Sequence, residues 1–325
     1  MIHKTVLVCY MLLKEFMTSL TLKLIGTTLD LLFATLPLKK THLAPNHNIL
    51  TNQFKKSAPN GWTCKEIISP FSDCTHRYLY HPGPQINSPV FLFLHGLVFD
   101  SRNFLNLHKL SQTWQLIAYD FPQSTSIYRG DMNDFQFLID DFLDTLNIDT
   151  LYLCGVSFGG GIATRFTAAH PRRIKSLVLA SSFIINSSPK DRIKSRELAR
   201  FLLKQPDHKL HWIIQKILNL ALSGKNNPLS TLKEMIQVKD IDWYRQVVKS
   251  ITTCEGTEDA ARISCPVLAL NGDKDRLVTL NHARSIPKYI AHSQFDIISG
   301  ANHAMMYLQG ELLSQKIYSF CSKYL

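Results

Sequence analysis

The sequence predicts an α/β fold: a mostly parallel, doubly wound sheet with a helical insertion late in the alternation and a helical arm in front of it. Three observations carry this. From Trp62 onward, short apolar runs alternate with longer segments of helical period. One run, Leu151-Tyr152-Leu153-Cys154, leads straight into Gly155-Val156-Ser157-Phe158-Gly159, the pattern of a strand that turns sharply into a helix. Two later runs end in polar turns, Asn271-Gly272-Asp273-Lys274-Asp275 and Gly300-Ala301-Asn302-His303.

Taken in order, residues 62–68 and 75–80 alternate like an antiparallel hairpin, with Pro70, Ser72 and Asp73 at its turn. A strand over 90–94 ends in His95-Gly96-Leu97, and a helix near 101–110 and a strand over 115–119 follow. Phe135, Leu138, Ile139, Phe142 and Leu146 mark an amphipathic helix ahead of the strand that ends at Cys154. A helix over 159–170 is followed by Arg172, Arg173 and a strand over 177–180, and strands at 266–270 and 294–298 complete the sheet. Residues 184–262 break the alternation. They are helical in pattern, with Leu198, Phe201 and Leu202, then Trp212, Ile213, Ile217, Leu218 and Leu222. In such a sheet, functional groups gather above the carboxyl ends of the strands.

The chain divides into an arm and linker over 1–59 and one domain over 60–325. Its 325 residues, 45% hydrophobic with mean hydropathy −0.03, suit a globular domain with a sizeable core. Seven cysteines, at 9, 64, 74, 154, 254, 265 and 321, are odd in number, scattered and without a C-x-x-C pair. They suggest neither a disulfide framework nor a zinc site, and a reducing compartment is favoured. Cys154 and Cys265 read as small buried hydrophobes.

The net charge of +11 is localised. Residues 1–60 hold seven Lys against two acidic residues, and residues 186–225 hold nine Lys or Arg against three. Elsewhere the charges balance, 20 against 20. Two basic segments rich in apolar residues point to an anionic surface. Nucleic acid is not expected, because no binding module accompanies the charge.

Within the arm, the apolar run at 5–13 is interrupted by Lys14 and Glu15 and followed by no cleavage pattern. A bilayer-crossing segment over 16–36 would bury Lys23 and Asp30. Leu22, Ile25, Leu29, Leu32 and Leu36 recur at helical spacing instead, as in an amphipathic helix that lies on a membrane or docks on the domain. Met11 and Met17 are alternative starts that would remove the first run. The chain is therefore expected in the cytoplasm or peripherally on the cytoplasmic face of a membrane.

The turn after Cys154 has a physical logic. Ser157 must adopt a strained backbone that pushes its Oγ out of the turn, and a Cβ two residues to either side would clash with the neighbouring strand or helix. With the upstream His95-Gly96, the acid turn after Gly272 and the late Gly300-x-x-His303, the chain resembles the α/β-hydrolase superfamily over residues 60–325. The resemblance implies a catalytic triad of Ser157, Asp275 and His303. Backbone N–H groups of Leu97 and Phe158 would form the oxyanion hole. It also implies that residues 184–262 form a cap roofing an apolar acyl site. The family's G-x-x-D spacing selects Asp275 over Asp273, which reads as a turn residue. His95 reads as a brace for its loop, and the remaining histidines as surface, cap or structural residues.

Chemically, a serine hydroxyl needs a base within hydrogen-bond reach. His303 would take its proton and later return it to the leaving group, while Asp275 fixes the imidazole tautomer. No cofactor or metal is called for. The expected activity is hydrolysis of a lipophilic carboxylic ester through an acyl-enzyme. C–C bond hydrolysis by the same triad and a non-catalytic binding module are the alternatives, and serine disfavours the aspartate-ester routes of dehalogenases and epoxide hydrolases. Two departures from the family pattern bear on the substrate. Asp120-Phe121-Pro122 is followed by Gln123-Ser124-Thr125-Ser126 rather than a glycine-containing turn, and Val98-Phe99-Asp100 replaces the usual small residues after His-Gly.

Overall fold

The computed structural model of the protein describes residues 59–72, 74–97, 99–122, 131–186, 188–221, 241–254 and 256–325. The arm, Asp73, Val98, the stretch at 123–126 and Leu222 lie outside them, as do the side chains of Ile217 and Leu218.

Eight strands form one sheet: β1 (Thr63–Ile68), β2 (Thr75–His81), β3 (Val90–Leu94), β4 (Gln115–Asp120), β5 (Leu151–Val156), β6 (Ile174–Ala180), β7 (Val267–Gly272) and β8 (Gln294–Ile298). Their order is β1-β2-β4-β3-β5-β6-β7-β8. β2 pairs antiparallel with both β1 and β4, and all other pairs are parallel. This is the mostly parallel sheet expected from the alternation, opened by the expected hairpin.

Side-chain alternation sends each central strand into two cores. Leu92, Leu94, Ile117, Tyr119 and Leu153 face one side, with Phe135, Phe142 and Ile162 packed on them. Phe91, Phe93, Leu116, Ala118 and Tyr152 face the other, under Leu107, Leu110, Leu313 and Ile317. Residues 91–94 are fully buried, which is why that strand reads as an unbroken apolar run. Helices α1 (Met132–Thr145) and α2 (Phe158–Ala169) cover the first face. The second is covered by the 3-10 helix Ser101–Gln112 together with the C-terminal helix α10 (Gly310–Cys321).

Most boundaries fall within two residues of the sequence reading, and two elements differ in kind or by more. The helix near 101–110 is a 3-10 helix running to Gln112, capped by Asp100, whose carboxylate accepts the Arg102 N–H. Apolar spacing over so few turns does not separate a period of 3.0 from 3.6. β6 begins at Ile174 rather than 177: Lys175, at the register shift beside Leu151, is exposed and interrupts the apolar run.

Between β6 and β7 the chain forms α3 (Pro189–Leu203), α4 (Asp207–Ala221), α5 (Ile241–Thr253) and α6 (Gly256–Ala261), with no strand among the described residues. α3 and α4 each pack on α5, and α6 packs on α2. Short helices α7 (Leu280–Ala283), α8 (Ser285–Tyr289) and α9 (Met305–Leu308) fill the connections near β7 and β8. No helix among the described residues is long and apolar enough to cross a membrane.

A polar staple ties β2 to α1. His76 Nε2–H donates to Asp141 Oδ2 at 2.8 Å, and His76 Nδ1 accepts from the Tyr119 hydroxyl at 2.8 Å. Ser69 and Ser72 each donate to Asp141 at 2.6 Å. His76 and Asp141 are fully buried. Burial lowers the His76 imidazole below its ordinary value, partly countered by Asp141. Burial alone would raise the Asp141 carboxyl, but hydrogen bonds from Ser69, Ser72 and His76 outweigh it and hold it below its ordinary value.

Candidate active site

Ser157 stands between β5 and α2 with φ 54° and ψ −118°, a region an L-residue occupies only under constraint. Its N–H donates to Ala180 O at 3.1 Å. Its own carbonyl accepts from Gly160 N–H at 3.0 Å and from the Ser182 hydroxyl at 3.2 Å. The flanking glycines are required by space. A Cβ at Gly155 would fall 2.4 Å from Gly159 O, and one at Gly159 would fall 2.4 Å from Leu94 O of the adjacent strand. The elbow therefore has the close packing that its sequence implied.

Asp275 and His303 come together from the ends of β7 and β8. His303 Nδ1–H donates to Asp275 Oδ2 at 2.9 Å, and both side chains are buried. The other Asp275 oxygen accepts from the backbone N–H groups of Leu277 and Val278, each at 2.9 Å. A carboxylate held at both oxygens cannot swing away from its histidine, and the bond through Nδ1 makes Nε2 the basic nitrogen. Asp273 is placed differently: its carboxylate accepts from Gly300 N–H at 2.7 Å. Gly300 has φ 70°, so the turn toward His303 uses a conformation that favours glycine. Lys274 N–H also donates to Ala301 O at 2.9 Å. Asp273 thus clasps the acid turn to the histidine turn, in keeping with its reading as a turn residue. Fully buried Asn271 adds a brace, its amide donating to Gly272 O and Val278 O on either side of Asp275.

The loop after β3 runs beside the elbow. A Cβ at Gly96 would sit 3.1 Å from the Ser157 Cβ, so the loop backbone at this glycine passes close against the serine. Phe158 opens α2, where helical N–H groups have no partner within the helix. His95 is fully buried and braces the loop: Nε2 accepts from Phe121 N–H at 3.2 Å, and Nδ1 donates to Gly96 O at 2.8 Å. Of the bulky residues after His-Gly, Phe99 enters the sheet core, and Asp100 grips the Arg102 guanidinium at 2.7 to 3.0 Å while capping the 3-10 helix.

The helical insertion reaches the elbow through aromatic rings. Phe158, immediately after Ser157, meets Phe135 of α1 at 5.2 Å and Trp243 of α5 at 6.3 Å, both edge-on. The material next to the serine on this side is apolar. The sequence reading singled out neither Trp243 nor the bracing residues Ser182 and Asn271; Trp243 lies on a helix whose apolar stripe is legible, but its target is not.

Among the described residues, three metal-ligand types gather only at Cys74, His76 and Asp141, with ligand atoms within 4.8 Å of one another. Both ring nitrogens and both carboxylate oxygens there already hold hydrogen bonds. Burial, then the Asp141 charge, pushes the Cys74 thiol up to about 11, away from the thiolate a metal needs. The cluster is a structural staple. Cys154 and Cys265 are buried as expected, and burial raises both thiols, Cys265 to about 12.

Comparison with known proteins agrees with this architecture. A protein of Mycoplasma pneumoniae, provisionally named esterase/lipase 2, is 27% identical over 248 residues, covering 71% of this chain and 88% of the relative. Carboxylesterase YbfK of Bacillus subtilis is 23% identical over 253 residues, covering 73% and 81%. The solved structure of a thermophilic esterase from Thermogutta terrifontis superposes with a TM-score of 0.66 at 19% identity, over 81% of this chain and 99% of that one. The family model described as alpha/beta hydrolase fold matches residues 89–309, from the threshold of β3 past the histidine turn, and the chain belongs to that family.

Proposed function

We propose that the protein is a serine hydrolase that cleaves a carboxylic ester of a lipophilic substrate through an acyl-enzyme on Ser157. The observation that carries this reading is the Asp275–His303 pair, buried and fixed at both carboxylate oxygens, at the ends of strands in the same sheet whose β5 presents the strained Ser157. The names of the two relatives above support ester chemistry.

In this mechanism Ser157 Oγ attacks the ester carbonyl while His303 Nε2 takes the hydroxyl proton. Asp275 stabilises the imidazolium that forms. The Leu97 and Phe158 N–H groups receive the negative charge that develops on the carbonyl oxygen. The proton then passes from His303 to the departing alcohol. Water repeats the sequence on the acyl-enzyme, releasing the acid and restoring the serine. The aromatic group of Phe135, Phe158 and Trp243 supports a lipophilic acyl or alcohol portion. The amphipathic arm read from the sequence is proposed to add a peripheral membrane anchor. A fluorophosphonate probe is the direct test. Wild-type protein should be labelled at Ser157 and should turn over esters from a panel of graded chain length. Failure to label, or turnover confined to β-diketone-like C–C substrates, would overturn this reading.

A further inference from the structure

We propose that the outer face of the α3–α4 helical pair is a docking surface for an anionic phospholipid bilayer. The charge is concentrated there. Residues 188–221 hold eight Lys or Arg and three acidic residues, a net of +5, although basic and acidic residues nearly balance outside the arm and this stretch. One of the three acids, Asp207, is already engaged by Arg245 of α5 at 2.7 Å.

The exposed positions follow helical spacing. On α3, Lys190, Ile193, Arg196, Glu197 and Arg200 are exposed, as is Lys204 just past its end, while Ser195 and Ala199 are buried. On α4, Lys209 and Trp212 are exposed, with the Lys216 ammonium over the Trp212 ring at 5.4 Å, while Leu210 and Ile214 are buried. Both helices pack on α5 and turn these cationic stripes away from their buried sides.

The stripes are more than solvated charge. Ile193 is 58% exposed and Trp212 37% exposed. A β-branched aliphatic and an indole set among lysines and arginines match the layered chemistry of a bilayer surface: phosphates outside, glycerol and acyl carbon beneath. A polyanion such as a nucleic acid supplies the charge without an apolar layer to receive Ile193. α5, on which both helices pack, also places Trp243 against Phe158, so a lipid surface on α3 and α4 lies one helix away from the elbow. Docking does not depend on hydrolysis, but its role as substrate delivery rests on the ester-hydrolase reading.

The test uses the full-length protein and sedimentation with vesicles of phosphatidylcholine alone or mixed equally with phosphatidylglycerol, at low and high salt. Wild type should bind the mixed vesicles and lose binding as salt rises. Reversing three charges (Lys190→Glu, Arg196→Glu, Arg200→Glu) should weaken that binding about tenfold or more. Ile193→Glu with Trp212→Glu should remove the part that persists at high salt. Circular dichroism and hydrolysis of a short soluble ester should be unchanged in both variants, which separates lost docking from lost folding. Equal vesicle binding by wild type and both variants overturns the proposal, because the arm then carries the attachment. Equal binding to neutral and anionic vesicles overturns it as well, as does release of the bound protein by duplex DNA at matching charge concentration. Since binding is read without turnover, an inactive protein that docks refutes only the hydrolase reading.

Discussion

Asp275–His303 and Asp141–His76 are the same chemical pair in two places, each buried and joined at 2.9 and 2.8 Å respectively. Their surroundings separate them. In the hairpin staple, one imidazole nitrogen holds the carboxylate and the other holds Tyr119, and two serines complete Asp141. Both ring nitrogens and both carboxylate oxygens are engaged in tying the hairpin to α1 and β4. At the strand ends, backbone N–H groups complete the carboxylate, and Asp275 engages the imidazole through Nδ1. A carboxylate–imidazole hydrogen bond is therefore no signature of catalysis. What sets the proposed catalytic pair apart is that it fixes one ring nitrogen at the ends of parallel strands, in the same sheet that carries the strained serine.

The sharpest way to break the comparison is at the serine. Ser157→Ala should lower kcat by about 10³-fold or more, abolish fluorophosphonate labelling and leave the melting temperature nearly unchanged. Labelling that survives would place the nucleophile elsewhere. Next comes the acid. Asp275→Asn should cost about 10²-fold or more in kcat, and combining His303→Ala with Ser157→Ala should add little to either single change. Asp273→Asn should cost much less than Asp275→Asn, because Asp273 meets only Gly300 N–H and, at 3.7 Å, Lys274. If the two asparagine variants trade places, Asp273 is the triad acid.

At the hairpin the effect should fall on stability. His76→Ala leaves Asp141 ionised and buried with one partner fewer, and should destabilise the fold by about 3 kcal/mol in urea unfolding while sparing kcat per folded molecule. Loss of kcat at full stability would make the staple part of the active site.

A smaller effect concerns pH. The folded-state His76 value is depressed, so as pH falls below the ordinary 6.5 the unfolded chain takes up a proton that the fold resists. Asp141 is depressed too, so its contribution is present above the ordinary 3.8 and is lost as pH falls through its folded value. Both signs agree: stability should decline on acidification, beginning below pH 6.5. His76→Gln should flatten the upper part of that decline, as read from urea midpoints between pH 7 and pH 5. An unchanged slope would assign the acid sensitivity to other groups.

The sequence made one of these pairs legible and hid the other, for physical reasons. The elbow announces itself because Gly155 and Gly159 are dictated by contacts within a few residues and with one neighbouring strand. Strands such as 90–94 are legible because burial on both faces demands continuous apolar character. Asp275 and His303 are readable because each follows a strand run, and the aspartate at the G-x-x-D spacing from Gly272 is the one that His303 meets. His76 and Asp141 carry no such local constraint. They are separated by 65 residues, and Asp141 interrupts an otherwise apolar helical face, so the pair exists only once β2 and α1 are packed. The Phe158–Trp243 contact is hidden in the same way, since helical periodicity states which face is buried and not what it meets.

That contact has an evolutionary consequence. Phe158 offers its backbone to the proposed oxyanion hole and its ring to the insertion, so two tasks share one residue. Lineages can remodel α3 and α4 to change what the protein meets with little reach into the chemistry. Remodelling α5 at Trp243 shifts the seat of Phe158, and with it the donor beside the serine. New specificities should therefore accumulate at the periphery of the insertion, while the layer touching the elbow is inherited nearly intact.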